Sequence, residues 1–243
     1  LGACPCIYEA AHPSAQTLFP DLRGSSFPVP CYYRGVGVAV LVVILTVIEG
    51  ELHVLLIHRS APPHQGKWAL PGGYPGAGET LAAAAARKLM EETGVKDVYL
   101  EQLYTFDPLD AEATAVAVAY FALVDSRIAR LRAEPVWEPR WFRLQDLPDL
   151  AFNNRAVIEY AVMRLRSKLQ YTNVAYSLMP PEFPLSDLQA VYESILGRAL
   201  DKRNFRRRML SQGIIRPTGR TYSRGAHRPA ELFEFTSRQP MTL

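Results

Sequence analysis

The chain has 243 residues, 49% of them hydrophobic, and a formal net charge of +3. That length holds one large domain or two of ordinary size, and the apolar content is enough to bury a core, which excludes a chain too polar to fold. The small net charge hides an asymmetry, because residues 202–228 carry nine Lys or Arg and no Asp or Glu, which points to a polyanionic partner at that end.

Residues 1–33 are rich in Pro, Ser and Cys without apolar periodicity and read as an N-terminal extension. Cys4, Cys6 and Cys31 are an odd set that makes a poor disulfide framework, so a reducing cytoplasm is expected, and no His or Cys cluster completes a zinc site around them. The apolar run over residues 36–48 is too short to cross a bilayer and is closed by Glu49 and Glu51, so it reads as a buried strand and no membrane partner is expected. Over residues 35–57 two β-branched runs flank Glu49-Gly50-Glu51, a hairpin pattern. A Gly/Pro-rich loop over residues 62–78 then feeds a helix predicted at 80–92 and stopped by Gly94. Strands are predicted at 98–105, 115–123 and 139–143 and a helix at 154–168, an α+β order with the sheet sandwiched by helices.

After Tyr171, Pro180, Pro181 and Pro184 punctuate a short connector and a new helical pattern begins. Leu188, Val191, Tyr192 and Ile195 fall at i, i+3, i+4 and i+7, Ser186 with Gln189 makes a capping box, and Gly197 is the stop. Asp201 can cap a second helix over 202–212, with Phe205 and Met209 inward and Arg203 and Arg207 on the opposite face. Short β-type runs around Thr218-Gly219-Arg220 and Arg224-Gly225 suggest a hairpin with a basic tip. Helix, turn, helix and basic hairpin make a winged helix-turn-helix, and the chain divides into an extension (1–33), an α+β domain (34–168) and a smaller DNA-binding domain (169–238). Arg203, Asn204 and Arg207 would approach base edges of a double-stranded operator and Lys202, Arg206 and Arg208 its phosphates. Arg220, Arg224 and His227 of the hairpin would touch backbone or minor groove.

The segment Gly73-x5-Glu79-x7-Arg87-Lys88-Leu89-x-Glu91-Glu92-x-Gly94-Val95 resembles the Nudix box at every fixed position but one. The resemblance covers about residues 34–150 and implies a Nudix α/β/α sandwich whose loop and helix hold divalent metal against a diphosphate. Hard Mg²⁺ needs carboxylates aimed from one face, and positions 88, 91 and 92 share a helical face. The family has glutamate at all three, whereas Lys88 puts a cation at the first. An ammonium there repels Mg²⁺ and attracts phosphate. Glu91 and Glu92 are left as ligand-facing acids and as the two carboxylates for any Mg²⁺, and no cofactor is required. Glu79 and Arg87 are either ordinary surface residues or part of the box, where the resemblance gives an arginine at this point the role of steadying the box by pairing with its acids. Gly66-Lys67-Trp68-Ala69-Leu70-Pro71-Gly72-Gly73 is also family-like, its glycines allowing close approach to phosphate. Trp68 is either a stacking partner or core, and Arg59 either reaches a phosphate or is merely exposed.

With the segments at Phe183-Pro-Leu-Ser-Asp-Leu-Gln, Leu200-Asp-Lys-Arg-Asn-Phe-Arg-Arg and Arg228-Pro-Ala-Glu-Leu-Phe, the chain looks like the Nudix-related transcriptional regulators of NAD metabolism. That likeness implies a homodimer repressing NAD synthesis or salvage genes and sensing ADP-ribose or a related nucleotide. The chain departs from the family at Asp110-Ala-Glu-Ala-Thr-Ala and at Asn153-Asn154, both expected near the ligand pocket. The rival expectation is an active Nudix hydrolase of ADP-ribose or another nucleoside diphosphate derivative.

Overall fold

The structure, a computed structural model, describes residues 37–96, 99–107, 115–131, 138–223 and 229–242. Cys4, Cys6, Cys31, residues 110–114, Arg224 and His227 lie outside the described residues. Strands β1 (Gly37–Ile48) and β2 (Glu51–His58) form the expected hairpin, with Ile48 opposite Glu51. Its two turn residues, Glu49 and Gly50, both have positive φ, the geometry that matches strand twist in a two-residue turn.

The loop that follows contains two short strands that its composition hides, β3 (Trp68–Ala69) on β2 and β4 (Gly72–Gly73) on β1. A Cβ on Gly72 would stand 2.7 Å from Val40 O and from Leu41 Cδ2, so only glycine lets the loop lie this close to the sheet. Helix α1 (Leu81–Thr93) starts at Thr80, whose hydroxyl accepts the Ala83 N–H, and ends at Gly94. Strands β5 (Tyr99–Phe106), β6 (Ala115–Leu123) and β7 (Pro139–Arg143) complete a mixed sheet in the order β3-β2-β1-β6-β5, with β7 also on β2. Among the described strands β1 and β6 are the one pair that runs parallel, and this central pair is buried on both faces.

Alternation along β1 makes the two faces. Val40, Val42 and Ile44 meet Ala84, Ala85 and Leu89 of α1, and Val43 and Leu45 meet Val157, Ile158, Ala161 and Leu165 of helix α2 (Asn154–Lys168). The result is the α/β/α sandwich that the sequence implies.

Beyond α2 the connector is not a loose tether. Its 3-10 helix, Val174–Leu178, is buried throughout, and it leads through β8 (Phe183–Pro184) to helices α3 (Leu185–Leu196) and α4 (Lys202–Ser211) and strands β9 (Ile215–Tyr222) and β10 (Ala230–Phe235). These strands pair antiparallel in the order β8-β10-β9, which closes a winged helix-turn-helix. One local expectation needs correction. The Ser186–Gln189 capping box does not form, because extended Pro184 already starts the helix at Leu185 and places Gln189 too far along to reach back. Gln189 instead donates to Glu193 and to Leu200 O, and Glu193 Oε1 accepts the Leu200 N–H, so both side chains fix the turn between α3 and α4. Thr218-Gly219-Arg220 lies within β9, whose antiparallel pairing with β10 continues to Tyr222 opposite Ala230, and Arg224-Gly225 lies outside the described residues.

The apolar cluster around α2 runs on without a break through Tyr176, Phe183, Leu188, Tyr192, Phe205 and Phe233. Both halves therefore share one core. The last residues strap it: Arg238 donates to Tyr176 O, Met179 O and Pro180 O, and the Asn173 amide bonds Ser237 O, Gln239 O and the Met241 N–H.

Candidate functional site

A cavity of about 470 Å³ opens on the α2 face of the sheet, just beyond the first turn of that helix. Its floor is made of small or aliphatic side chains on the central strands, Ala39 and Leu41 of β1 with Ala115 and Ala117 of β6. Side chains this short leave room that larger ones would fill. Gly72, Gly73 and Tyr74 make one wall, and Arg59, Phe152 and Asn154 make another. Among the described lining residues Arg59 is the one charged side chain. Its Nε donates to Pro63 O at 2.8 Å and its guanidinium lies 5.0 Å from the Phe152 ring centroid, so the cation is held at the cavity edge. Burial pulls the Arg59 pKa down. An apolar floor with one fixed cation suits a flat base or sugar joined to phosphate.

The box motif adjoins this cavity and is a network of ion pairs. Glu79 accepts two hydrogen bonds from Arg87, from Nε and Nη2, each 2.9 Å long, and a third from the Gly76 N–H at 2.7 Å. The Arg87 hydrogen bonds, then that of Gly76, hold the Glu79 carboxyl down at about 2. Arg87 Nη1 also donates to Glu91 Oε1 at 3.1 Å, and Lys88 Nζ lies 2.7 Å from Glu91 Oε2. Burial would raise the Glu91 pKa, but the hydrogen bonds from Lys88 and Arg87 outweigh it and the carboxyl ends lowered. A Cβ on Gly73 would stand 3.0 Å from Lys88 Cε, so the lysine stem lies directly behind the glycine wall of the cavity.

This donor set does not fit Mg²⁺. Both carboxylate oxygens of Glu91 already hold cations, Glu92 is 1% exposed, and no group of three or more His, Cys, Asp or Glu is gathered among the described residues. A phosphate is better suited, since Arg59 holds a cation at the cavity edge, while Lys88 sits behind Gly73, paired with Glu91. Of the expected ligand residues, Arg59 and Gly73 line the cavity, while Glu79, Arg87, Lys88 and Glu91 form the adjoining network. Trp68 stands apart from the cavity lining. It packs edge-on to His58 and Phe142 at 5.1 and 4.6 Å, with Arg140 over its ring. Phe152 and Asn154 are lining residues whose contribution was signalled only by the Asn153-Asn154 departure.

The second candidate surface is α4. Asp201 Oδ1 accepts the Asn204 N–H and caps the helix as expected. Phe205 and Met209 are buried, Phe205 edge-on to Tyr192 at 5.2 Å, which turns positions 203, 204 and 207 to solvent. The Lys202 and Arg203 side chains make no ion pair or hydrogen bond with any described residue, and the Arg207 side chain bonds among the described residues only its helix neighbour Asn204, at 2.9 Å. Arg206 pairs with Glu231 at 3.1 Å, and Arg220 pairs with Glu182. Arg208 faces the other way. Its Nη2 donates to Leu169 O and Gln170 O at 3.2 and 3.0 Å, so a residue expected on phosphate satisfies the open carbonyls at the end of α2.

Comparison with known proteins agrees with this division. The family model of the NUDIX domain matches residues 36–161, and that of the NrtR DNA-binding winged helix domain matches residues 175–235. An ADPR-responsive transcriptional repressor, NtrR, of Acinetobacter baylyi is 36% identical over 228 residues, 91% of this chain and 88% of the relative. An ADP-ribose pyrophosphatase of Methanocaldococcus jannaschii is 32% identical over 114 residues, 46% of this chain and 68% of that protein. The crystal structure of Shewanella oneidensis NrtR complexed with a 27mer DNA superposes with a TM-score of 0.73 at 33% identity, covering 82% of this chain and 93% of that one.

Proposed function

The chain belongs to the Nudix family and carries the NrtR-type winged helix, and from that premise we propose that it is a DNA-binding transcriptional repressor whose Nudix domain senses ADP-ribose or a related nucleotide. The observation that carries this reading is the pairing of two surfaces on one core. A cationic helix face whose Lys202 and Arg203 side chains make no ion pair or hydrogen bond among the described residues is built on the same apolar cluster as a cavity edged by Arg59 and backed by Lys88. The first suits duplex DNA and the second a nucleotide diphosphate.

The nucleotide is held without a divalent ion, because Lys88 supplies at the box the positive charge that a metal would bring. Two copies act together, since paired half-sites need two recognition helices at fixed spacing. The regulated genes are those of NAD metabolism, as the family likeness implies, and the protein works in the cytoplasm. Among the described residues no helix is long and apolar enough to cross a membrane. Hydrolysis is the weaker reading, because an attacking water needs the metal cluster that the Lys88–Glu91 and Arg87–Glu91 pairs occupy.

The test is operator binding by fluorescence anisotropy at two salt concentrations, with and without ADP-ribose. Specific binding that weakens steeply with salt and at least fivefold with the nucleotide is expected. Specific binding indifferent to ADP-ribose would remove that effector, and Mg²⁺-dependent turnover without specific binding would replace the repressor by the hydrolase.

A further inference from the structure

Asn154 is the first residue of α2, fully buried, and part of the cavity wall. The Leu70 N–H donates to its side chain at 2.8 Å, which fixes the accepting atom as Oδ1 and turns Nδ2 away from Leu70. That Nδ2 has no hydrogen-bond partner among the described residues. Folded proteins rarely bury an amide donor without an acceptor, and on a residue that belongs to a cavity wall a ligand oxygen is the natural acceptor for it. The N-cap residue Asn153 makes no side-chain cap, so the first-turn N–H groups of α2 add positive potential at the same place.

The other end of α2 is bonded to the DNA-reading half. Arg208 of α4 donates to Leu169 O and Gln170 O just past the helix end. In return Arg166, in the last turn of α2, donates from Nε to Ile195 O in the last turn of α3 at 2.8 Å. One uninterrupted helix, about 22 Å long at 1.5 Å per residue, thus runs from the cavity to both helices of the helix-turn-helix.

Resting on the repressor reading above, we propose that Asn154 is a nucleotide-binding residue whose Nδ2 donates to an oxygen of the bound nucleotide, and that α2 transmits this contact to α4 through the Arg208 and Arg166 bonds. The hydrogen bond exists only in the liganded state, so it stabilises one position of α2 over another. The carbonyls that Arg208 grips move with the helix.

The test uses the full chain, ADP-ribose and operator DNA. Asn154→Asp keeps an acceptor for Leu70 and the side-chain volume but replaces the donor by a carboxylate oxygen, and its affinity for ADP-ribose should fall tenfold or more. Arg208→Gln should bind ADP-ribose as the parent does, while the ratio of its operator affinities with and without nucleotide falls toward one. In the parent, ADP-ribose should shift the Asn154 side-chain amide resonance, a readout that needs no variant and holds if Asn154→Asp misfolds. An unmoved resonance, or parental affinity in Asn154→Asp, overturns the contact. A full ratio in Arg208→Gln overturns the relay. A parent whose specific operator binding ADP-ribose leaves unchanged removes ADP-ribose as the effector in the reading above, whereas absence of specific operator binding fails the repressor reading, and the controls separate these from failure of the Asn154 contact.

Discussion

At the scale of the residue, one substitution redirects the chemistry of the box. On a helix face where the family has carboxylates at 88, 91 and 92, Lys88 makes Glu91 the acceptor of two cations, with Lys88 Nζ at 2.7 Å and Arg87 Nη1 at 3.1 Å. The neighbouring Glu79 shows how firmly the network is set. Its carboxyl is held near 2, first by the Arg87 hydrogen bonds and then by that of Gly76. A folded-state pKa below the unfolded value near 4.3 means that this pair stabilises the box above that pH and that the contribution is lost as pH falls through about 2. The pair lies at the surface and is partly exposed, so the effect on global stability is small and the local titration is the informative readout. Carboxyl-carbon NMR should find Glu79 titrating near 2 in the parent and in the ordinary carboxylate range in Arg87→Gln. Titration near 4 in both proteins would mean that the network does not persist in solution.

At the scale of the element, α4 divides its cations by task. Phe205 and Met209 fix the rotation of the helix, so Arg203 and Arg207 point outward and Arg208 reaches back to α2. Arg203→Ala should weaken operator binding by about 1–3 kcal/mol and relax sequence preference, as loss of a base contact does, whereas Lys202→Ala should weaken all sequences alike and reduce the salt slope by about one. Equal loss of specificity in both variants would instead put the helix along the backbone. Much of this was legible in the sequence. The β1–β2 hairpin, α1 with its Thr80 and Gly94 ends, α2 and the inward faces of α3 and α4 all follow from local spacing and capping chemistry. The two-residue strands β3 and β4 were hidden, because a Gly/Pro-rich segment pairs here through backbone approach at Gly72 and not through side-chain pattern. The destination of Arg208 was hidden for a different reason. Its partners lie 39 and 38 positions earlier in the chain, and no periodicity within α4 encodes which carbonyls the fold will bring beside it.

At the scale of the whole molecule, the sequence suggests two domains joined by a connector, but the packing joins them more tightly than that picture implies. The connector residues Val174, Ala175, Tyr176 and Leu178 are core, and Tyr192, Phe205 and Phe233 of the winged helix belong to the same cluster as Leu45, Val54 and Ile158 of the sandwich. Burying a large apolar side chain contributes roughly 1.5–3 kcal/mol, so parting the halves would cost several such terms at once. Strap contacts from Arg238 and Asn173 would be broken as well. Separate unfolding of either half would leave the other with its core exposed, so the full chain should unfold in one calorimetric transition with matching calorimetric and van't Hoff enthalpies. ADP-ribose at a hundred times its dissociation constant adds about 2.7 kcal/mol to the folded state and should raise that single transition by about 5–10 °C. Two transitions, with only the first displaced by nucleotide, would mean that the sandwich and the winged helix melt independently, and a shared core could then not be the route by which the cavity reaches α4.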